Sequence, residues 1–372
     1  SASVNNRISE NTFGSNGGVA IDLVESSDLD TDHFTGDGIT LTAGTSSTTG
    51  NNGLDAPVIS TASVTTVTGT ACANCDVEVY KAVGGAGDGA YGEGVEYVGT
   101  ATVDGSGDWS LTGITTLTTS DKVTSLAIDG SNDTSEFGFN AVVVGPMVVN
   151  STGDQFDANL GDGQCYTGAL NTQGLEACTL RAAIEEANAS PGAGTITFDI
   201  PTSELGHSSG VWTITPGASL PDISETVTID GTTQSGWTAQ PVVRLDGVST
   251  TSASGISLSA TAGPSRVSGL MITRFDVDGI LVQAGADGVR IEGNWIGSNN
   301  SGSSTMGNGD DGIDLNGADA VIHGNVVNHS GDDGIDVLAP RATITGNYVG
   351  LEADGAGGSG NADVGIALFA DD

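Results

Sequence analysis

The chain has 372 residues, with nine Lys and Arg against 47 Asp and Glu, a formal charge of −38, and an ordinary hydrophobic content of 37%. So acidic a surface argues against nucleic-acid or anionic-membrane partners and suits cations or salty water. Gly is the commonest residue at 58 and aromatics make up only 5%, so a core has to be built from small and β-branched side chains, and no apolar run approaches the length of a membrane span.

Such a length accommodates two or three domains. Ser1 begins no signal peptide, which leads to the expectation of a mature or excised piece of a longer precursor. Near the start stand Asn6-Arg7-Ile8-Ser9-Glu10-Asn11-Thr12-Phe13-Gly14 and Gly18-Val19-Ala20-Ile21-Asp22-Leu23, two short strands written in the pattern of the last third of the chain. Placed after Asp372, they continue that pattern without a break. Residues 1–50 are therefore expected to donate a coil to a neighbouring solenoid, with Ile8, Asn11, Phe13, Ile21 and Leu23 as donor positions. A solenoid fragment with a partner of its own is the alternative. Within this stretch, Asp28, Asp30, Asp32 and Asp37 alternate with small residues and resemble the opening of a calcium loop, because hard cations take several oxygens at roughly 2.4 Å. The twelfth-position Glu and flanking helices of an EF-hand are missing, which leaves calcium or a plain solvated loop.

Residues 51–145 change period. Strands such as Val77-Glu78-Val79-Tyr80, Trp109-Ser110-Leu111 and Val123-Thr124-Ser125-Leu126-Ala127-Ile128 alternate with turn clusters such as Asp104-Gly105-Ser106-Gly107-Asp108, which predicts an antiparallel sandwich of about seven short strands. These words resemble the bacterial immunoglobulin-like modules of surface proteins. Four cysteines fall into two close pairs, Cys72 with Cys75 and Cys165 with Cys178. Disulfides in an oxidising, extracellular setting are expected. Half a zinc site, a redox motif or free thiols are the alternatives, although no second pair with His follows at metal-ligand spacing. Sequons at Asn132, Asn150, Asn299 and Asn328 permit glycans where the host can attach them.

Residues 146–194 hold the one convincing helix, Thr179 to Ala189, whose Leu180, Ala183, Ile184 and Ala187 share a face before Pro191 stops it. A short amphipathic helix suits the raw strand edges of a solenoid's first coil. The stretch from Val148 through ACTLRAAIEEANASPGAGTITFDIP resembles the CSLREA-type module that precedes right-handed parallel β-helices in bacterial and archaeal surface proteins, with Cys178, Leu180, Arg181 and Ala183 in phase. That resemblance implies a secreted or surface location and a structural or adhesive role, and it implies no reaction.

Residues 195–372 are predicted to form the β-helix itself. Gly-Ile openings recur at Gly255, Gly279, Gly312, Gly334 and Gly365, each answered by a strand such as Val321-Ile322-His323-Gly324-Asn325-Val326-Val327. Gly312 to Gly334 and Ile322 to Ile344 are both 22 residues apart. A period in the twenties built from short alternating strands marks a parallel solenoid. Inward ladders follow directly: Ile280, Ile313, Ile335 and Ile366; Ile291, Ile322 and Ile344; and Asn294, Asn325 and Asn347 at a bend. The overall expectation is an all-β chain: a right-handed parallel β-helix with an N-terminal capping α-helix, plus an immunoglobulin-like sandwich.

Asp310, Asp311, Asp332 and Asp333 echo the paired carboxylates of polygalacturonases. The companion motifs of that family are lacking, and duplication one coil apart has the look of a repeat feature, so no enzyme activity is expected. Stacked acids roughly 5 Å apart repel, and calcium on this edge would relieve them. The expected function is a structural subunit of an extracellular or cell-surface filament or sheath, a head-to-tail homopolymer without a membrane span. Ile344, Asn347, Val349, Ile366 and Leu368 would be the acceptor positions for a neighbour's N-terminal coil. A monomeric adhesin or carbohydrate-binding stalk is the alternative.

Overall fold

A computed structural model describes residues 4–14, 20–21, 23, 50–83, 93–118, 121–145, 147–190, 194–299 and 306–369. Asp28, Asp30, Asp32, Asp37 and Pro191 lie outside the described residues. The chain divides into two compact units, Ser1–Gly145 and Pro146–Asp372.

In the first unit, Val58–Ala62, Thr66–Thr70 and Asp108–Thr112 form one antiparallel sheet. Glu93–Thr102, Asp76–Val83, Lys122–Ile128 and Ala141–Val142 form another. Alternation along Asp76–Val83 sends Val77 and Val79 inward, where they meet Val67, Ala101, Val103, Trp109 and Val123 in one core shared by both sheets. The opposite face of the four-stranded sheet is also covered. Tyr80, Leu126, Ile128 and Phe137 pack there against Ile8, Phe13, Ala20, Ile21 and Leu23.

This placement differs from the expectation that residues 1–50 stand apart from the sandwich as a solenoid coil. The physical reason is a set of buried acceptors on that outer face. Glu78, 1% exposed, accepts from Ser9 Oγ and from Glu10 N at 2.9 Å. Thr134 Oγ1 accepts from Ile8 N at 2.8 Å, and Glu136 accepts from Leu23 N at 2.7 Å. Asn11, by contrast, is exposed and donates to Ser9 O.

The second unit is a parallel β-helix whose regular coils each give one strand to three sheets. One sheet runs from Met147–Val149 through Gly194–Phe198, Val227–Asp230, Arg266–Ser268, Arg290–Glu292 and Val321–His323 to Thr343–Thr345. The Gly-Ile strands Ile256–Leu258, Ile280–Val282, Ile313–Leu315, Ile335–Val337 and Ile366–Leu368 make the second. In register, Ile256, Ile280, Ile313, Ile335 and Ile366 form a continuous ladder. Ile291, Ile322 and Ile344 form another. Each fully buried Ile contributes roughly 1.5–3 kcal/mol relative to exposure. The third sheet contains Val211–Ile214, Val243–Asp246, Leu270–Thr273, Trp295–Ile296, Val326–Val327 and Tyr348–Val349, with His207–Ser208 antiparallel at its edge. The sequence reading had merged this third sheet with the answering strands. The solenoid also begins at Met147–Val149, which pairs in parallel with the strand Gly194–Phe198, so the capping stretch is an insertion in the first coil.

Both cysteine pairs are closed as disulfides, with Cα separations of 5.6 Å for Cys72–Cys75 and 5.2 Å for Cys165–Cys178. The zinc and free-thiol alternatives therefore fall away. The helix Leu180–Ala189 is N-capped by Thr179, whose side chain accepts from Ala182 N. It packs on Met147–Val149 and Gly194–Phe198 at the start of the solenoid. Its buried Arg181 reaches Asp154 through Nε and Nη2 at 2.9 and 3.1 Å and also donates to the carbonyls of Ala218 and Ser219. That fork fixes the cap to the loop that follows the third-sheet strand Val211–Ile214.

Candidate functional site

The feature that sets one edge of the solenoid apart is a column of aspartates at the corner before three successive Gly-Ile strands, those opening at Gly279, Gly312 and Gly334. The strand Gly is a steric requirement: a Cβ on Gly312 would stand 2.3 Å from Val327 Cγ1 and 2.5 Å from the carbonyl oxygen of Gly334. With no side chain possible there, the residue before it turns the corner. Asp278, Asp311 and Asp333 occupy that position. Asp278 Oδ1 accepts from Asp311 N at 3.3 Å, Asp311 Oδ1 accepts from Asp333 N at 2.9 Å, and Asp333 Oδ1 accepts from Val364 N at 2.7 Å. Each carboxylate thus satisfies a backbone N–H of the next coil, which is why an acid is tolerated in a buried position.

Around this inner column lie the outer acids. Asp310, Asp311 and Asp332 bring carboxylate oxygens within 4.8 Å of one another, as do Asp332, Asp333 and Asp363. Asp314 and Asp336 are register partners on the adjoining strands. The electrostatic strain is visible in their protonation. Burial, with Asp310, Asp336 and Asp278 adding like charge, pushes Asp311 up to about 7. Burial together with Asp278 and Asp336 pushes Asp314 up to about 6. Burial raises Asp278 and Asp336 in the same direction. By contrast, the backbone N–H groups of Ala253 and Ser252 hold the exposed Asp276 below the usual carboxylate range.

Four of the eight calcium candidates, Asp310, Asp311, Asp332 and Asp333, are brought together here. Asp278 and Asp363 were missed. Asp278 is legible as the Asp of Asp278-Gly279-Ile280, in line with Asp311-Gly312-Ile313, but it lacks the doubled acid that marks the others. Oxygens within 4.8 Å can share one cation at 2.3–2.6 Å from each, and the column can equally hold a proton at Asp311 near neutrality.

The acceptor positions lie on the outermost described coil. Ile344 and Val349 are partly buried, while Ile366 is 40% and Leu368 75% exposed, beside Val364 and Phe369. Asn347 is engaged, its Oδ1 accepting from Asn325 N and Nδ2. Of the sequons, Asn132 is exposed, and Asn299 is only partly so. Asn328 is fully buried and donates to Leu351 O, and the Asn150 amide donates to Glu176 O. Those two amides are engaged by the fold.

No protein-family model matches the chain, and no curated protein matches it. Among solved structures, the catalytic unit of a thermostable GH87 alpha-1,3-glucanase from Streptomyces thermodiastaticus strain HF3-3 is similar at 14% identity and a TM-score of 0.28. The match covers 82% of this chain and 62% of that one, so the chain spans less than two thirds of that structure's length. That neighbour is an enzyme, which overturns the expectation that catalysis is absent. At such a TM-score the likeness assigns no reaction, substrate or residue to this chain.

Proposed function

We propose that the chain is a structural subunit of an extracellular filament or sheath, in which the β-helix is a rigid rod and copies join head to tail through the N-terminal segment. The observation that carries this reading is the in-register stacking of the coils, in which Ile256, Ile280, Ile313, Ile335 and Ile366 form one ladder that a strand of the same alternation can continue. A strand carrying the solenoid's alternation would extend the ladders of Ile344, Asn347, Val349, Ile366 and Leu368. Donor and acceptor would be different surfaces, so the contact propagates unless its rotation closes a ring. Two disulfides favour an oxidising compartment, and among the described residues no helix is long and apolar enough to cross a membrane. The CSLREA-like and immunoglobulin-like resemblances point the same way. A carbohydrate-binding stalk is less well supported, because, of the four tryptophans, Trp109, Trp212 and Trp295 are buried and only Trp237, 39% exposed, is available as a sugar platform. Deleting residues 1–24 is expected to abolish fibres seen by negative-stain microscopy and leave monomers. Continued polymerisation of the truncated chain would defeat the reading.

Calcium on the aspartate column is part of the same proposal. Two triads of carboxylates within 4.8 Å offer the hard oxygen ligands it takes. Millimolar calcium is expected to raise the thermal midpoint of the β-helix by several degrees over the same protein in excess chelator, by mass action on the folded state. An unchanged midpoint removes calcium from the account.

A further inference from the structure

We infer that the cleft beside the capping stretch of the β-helix binds a primary ammonium group carried on an aliphatic chain. The cleft lies between the segments around Thr152, Leu170 and Leu205 and has a volume of about 440 Å³, within the roughly 300–1,000 Å³ of small-molecule sites. Neither the aspartate column nor the last coil contributes to its lining.

One wall holds a negative charge with no counter-ion. Glu204 is 7% exposed and forms no ion pair among the described residues. Neutral donors fix it in place: Oε2 accepts from Ser151 Oγ at 2.9 Å and Thr152 N at 3.0 Å, and Oε1 accepts from Thr172 N at 2.9 Å. Burial acts to raise its titration, but the N–H groups of Thr172 and Thr152 outweigh burial and hold Glu204 below the usual carboxylate range, ionised at neutral pH. The hydrogen bonds are satisfied and the charge is not, and an unpaired buried charge favours a cation beside it.

The rest of the lining selects the cation. A calcium ion takes six to eight oxygens, several of them from carboxylates, and Glu204 is the one carboxylate among the lining residues. An ammonium group has three N–H donors to place, and the Thr213 and Thr215 hydroxyls and the Gln155 amide stand in the same lining. Leu170 and Leu205 supply apolar surface there, 63% and 98% exposed. A bare inorganic ion leaves those two leucines in water, whereas an alkyl chain covers them. The cleft is also formed in advance. Glu204 ties the Thr152 and Thr172 segments together, Gly206 N donates to Thr152 Oγ1 at 3.2 Å, and Asn171 Oδ1 accepts from Gln173 N and Leu175 N at 3.0 Å each. Little ordering is left for a ligand to impose.

The test follows the methyl resonances of Leu170 and Leu205 in the full chain at neutral pH and constant ionic strength, which separates binding at the cleft from loose attraction to an acidic surface. n-Butylamine is expected to shift both saturably, with affinity rising about two- to fourfold for each methylene from methylamine to n-butylamine. n-Butanol, without the charge, should bind roughly tenfold more weakly or worse. Leu205→Ser changes a side chain that stands almost wholly in water, so it is expected to keep the fold and to weaken n-butylamine about threefold while leaving methylamine unchanged. Glu204→Gln should weaken every amine about tenfold; should that variant not fold, the n-butanol comparison and Leu205→Ser decide. Nα-acetyl-lysine amide identifies the source of the ammonium group: affinity equal to that of n-butylamine assigns the cleft to a protein's lysine side chain, and a loss of about tenfold assigns it to free alkylamines. No saturable shift, equal binding of n-butanol, or an affinity independent of alkyl length overturns the inference.

Discussion

Replacing Asn325 by aspartate is expected to lower the stability of the β-helix unit by about 5 kcal/mol, measured as the shift of its midpoint in urea. Asn325 is fully buried, and its amide is used at both ends. Oδ1 accepts from Asn294 N at 2.9 Å and Asn294 Nδ2 at 3.2 Å. Nδ2 donates to Ile291 O at 2.8 Å and to Asn347 Oδ1 at 3.0 Å. An aspartate keeps the accepting oxygen but turns a second oxygen toward two oxygens, and it brings a charge among uncharged partners, Asn294, the Ile291 carbonyl and Asn347. Two donor bonds become two repulsions in a medium that screens them poorly. Asn325→Ala, which leaves Asn294 N and Ile291 O without their partner, should lose about 2–6 kcal/mol, at 1–3 kcal/mol per orphaned group. The exposed Asn132→Asp should stay within about 0.5 kcal/mol. If Asn325→Asp behaves like that control, the Asn ladder is not what ties the coils together.

That ladder was legible because its last step, Asn325 to Asn347, has the same 22-residue spacing as Gly312 to Gly334 and Ile322 to Ile344. Along the sheet that begins at Met147–Val149, the stacked positions Thr195, Thr228, Arg266, Arg290, Val321 and Thr343 are 33, 38, 24, 31 and 22 residues apart. Loops of unequal length enter between coils, so the early coils do not repeat at the fixed interval on which recognition from sequence depends. The third sheet was hidden for a local reason. Gly293, Gly324 and Gly346 have φ of +63°, +67° and +66°, a left-handed bend that redirects the chain in the middle of what reads as one strand. The N-terminal segment was misplaced because alternating apolar residues specify a half-buried strand without specifying which face buries it. The information that decides it sits in Glu78, which alternation in Val77-Glu78-Val79-Tyr80 assigns to the outside. Outside that sheet there is another layer of the same chain, and no local pattern announces it.

In chelator, the β-helix is expected to become less stable as the pH rises from 5 to 8, by roughly 3 kcal/mol. Asp311 and Asp314 titrate in the folded chain at about 7 and about 6 against an ordinary 3.8, and Asp278 and Asp336 are raised with them. Between pH 4 and 7 the folded state therefore binds more protons than the unfolded state, and stability must fall with pH across that window. Below pH 4 both states are protonated and this contribution is fully present. The gap at Asp311 alone corresponds to about 4 kcal/mol. The partly exposed Asp314 is coupled to the same neighbours, so its share does not simply add. Carboxylates held low, among them Asp276, Glu204 and Glu292, act with the opposite sign and lose their contribution only as the pH falls through their own depressed range. Maximum stability should then lie near pH 4. Denaturation curves at pH 5, 6.5 and 8 in excess chelator give the slope directly. Asp311→Asn retains an oxygen for Asp333 N and removes the charge, so it should flatten the slope and exceed the unaltered chain in stability at pH 8. A flat or rising profile for the unaltered chain would mean that the column is not carrying the proton its packing requires.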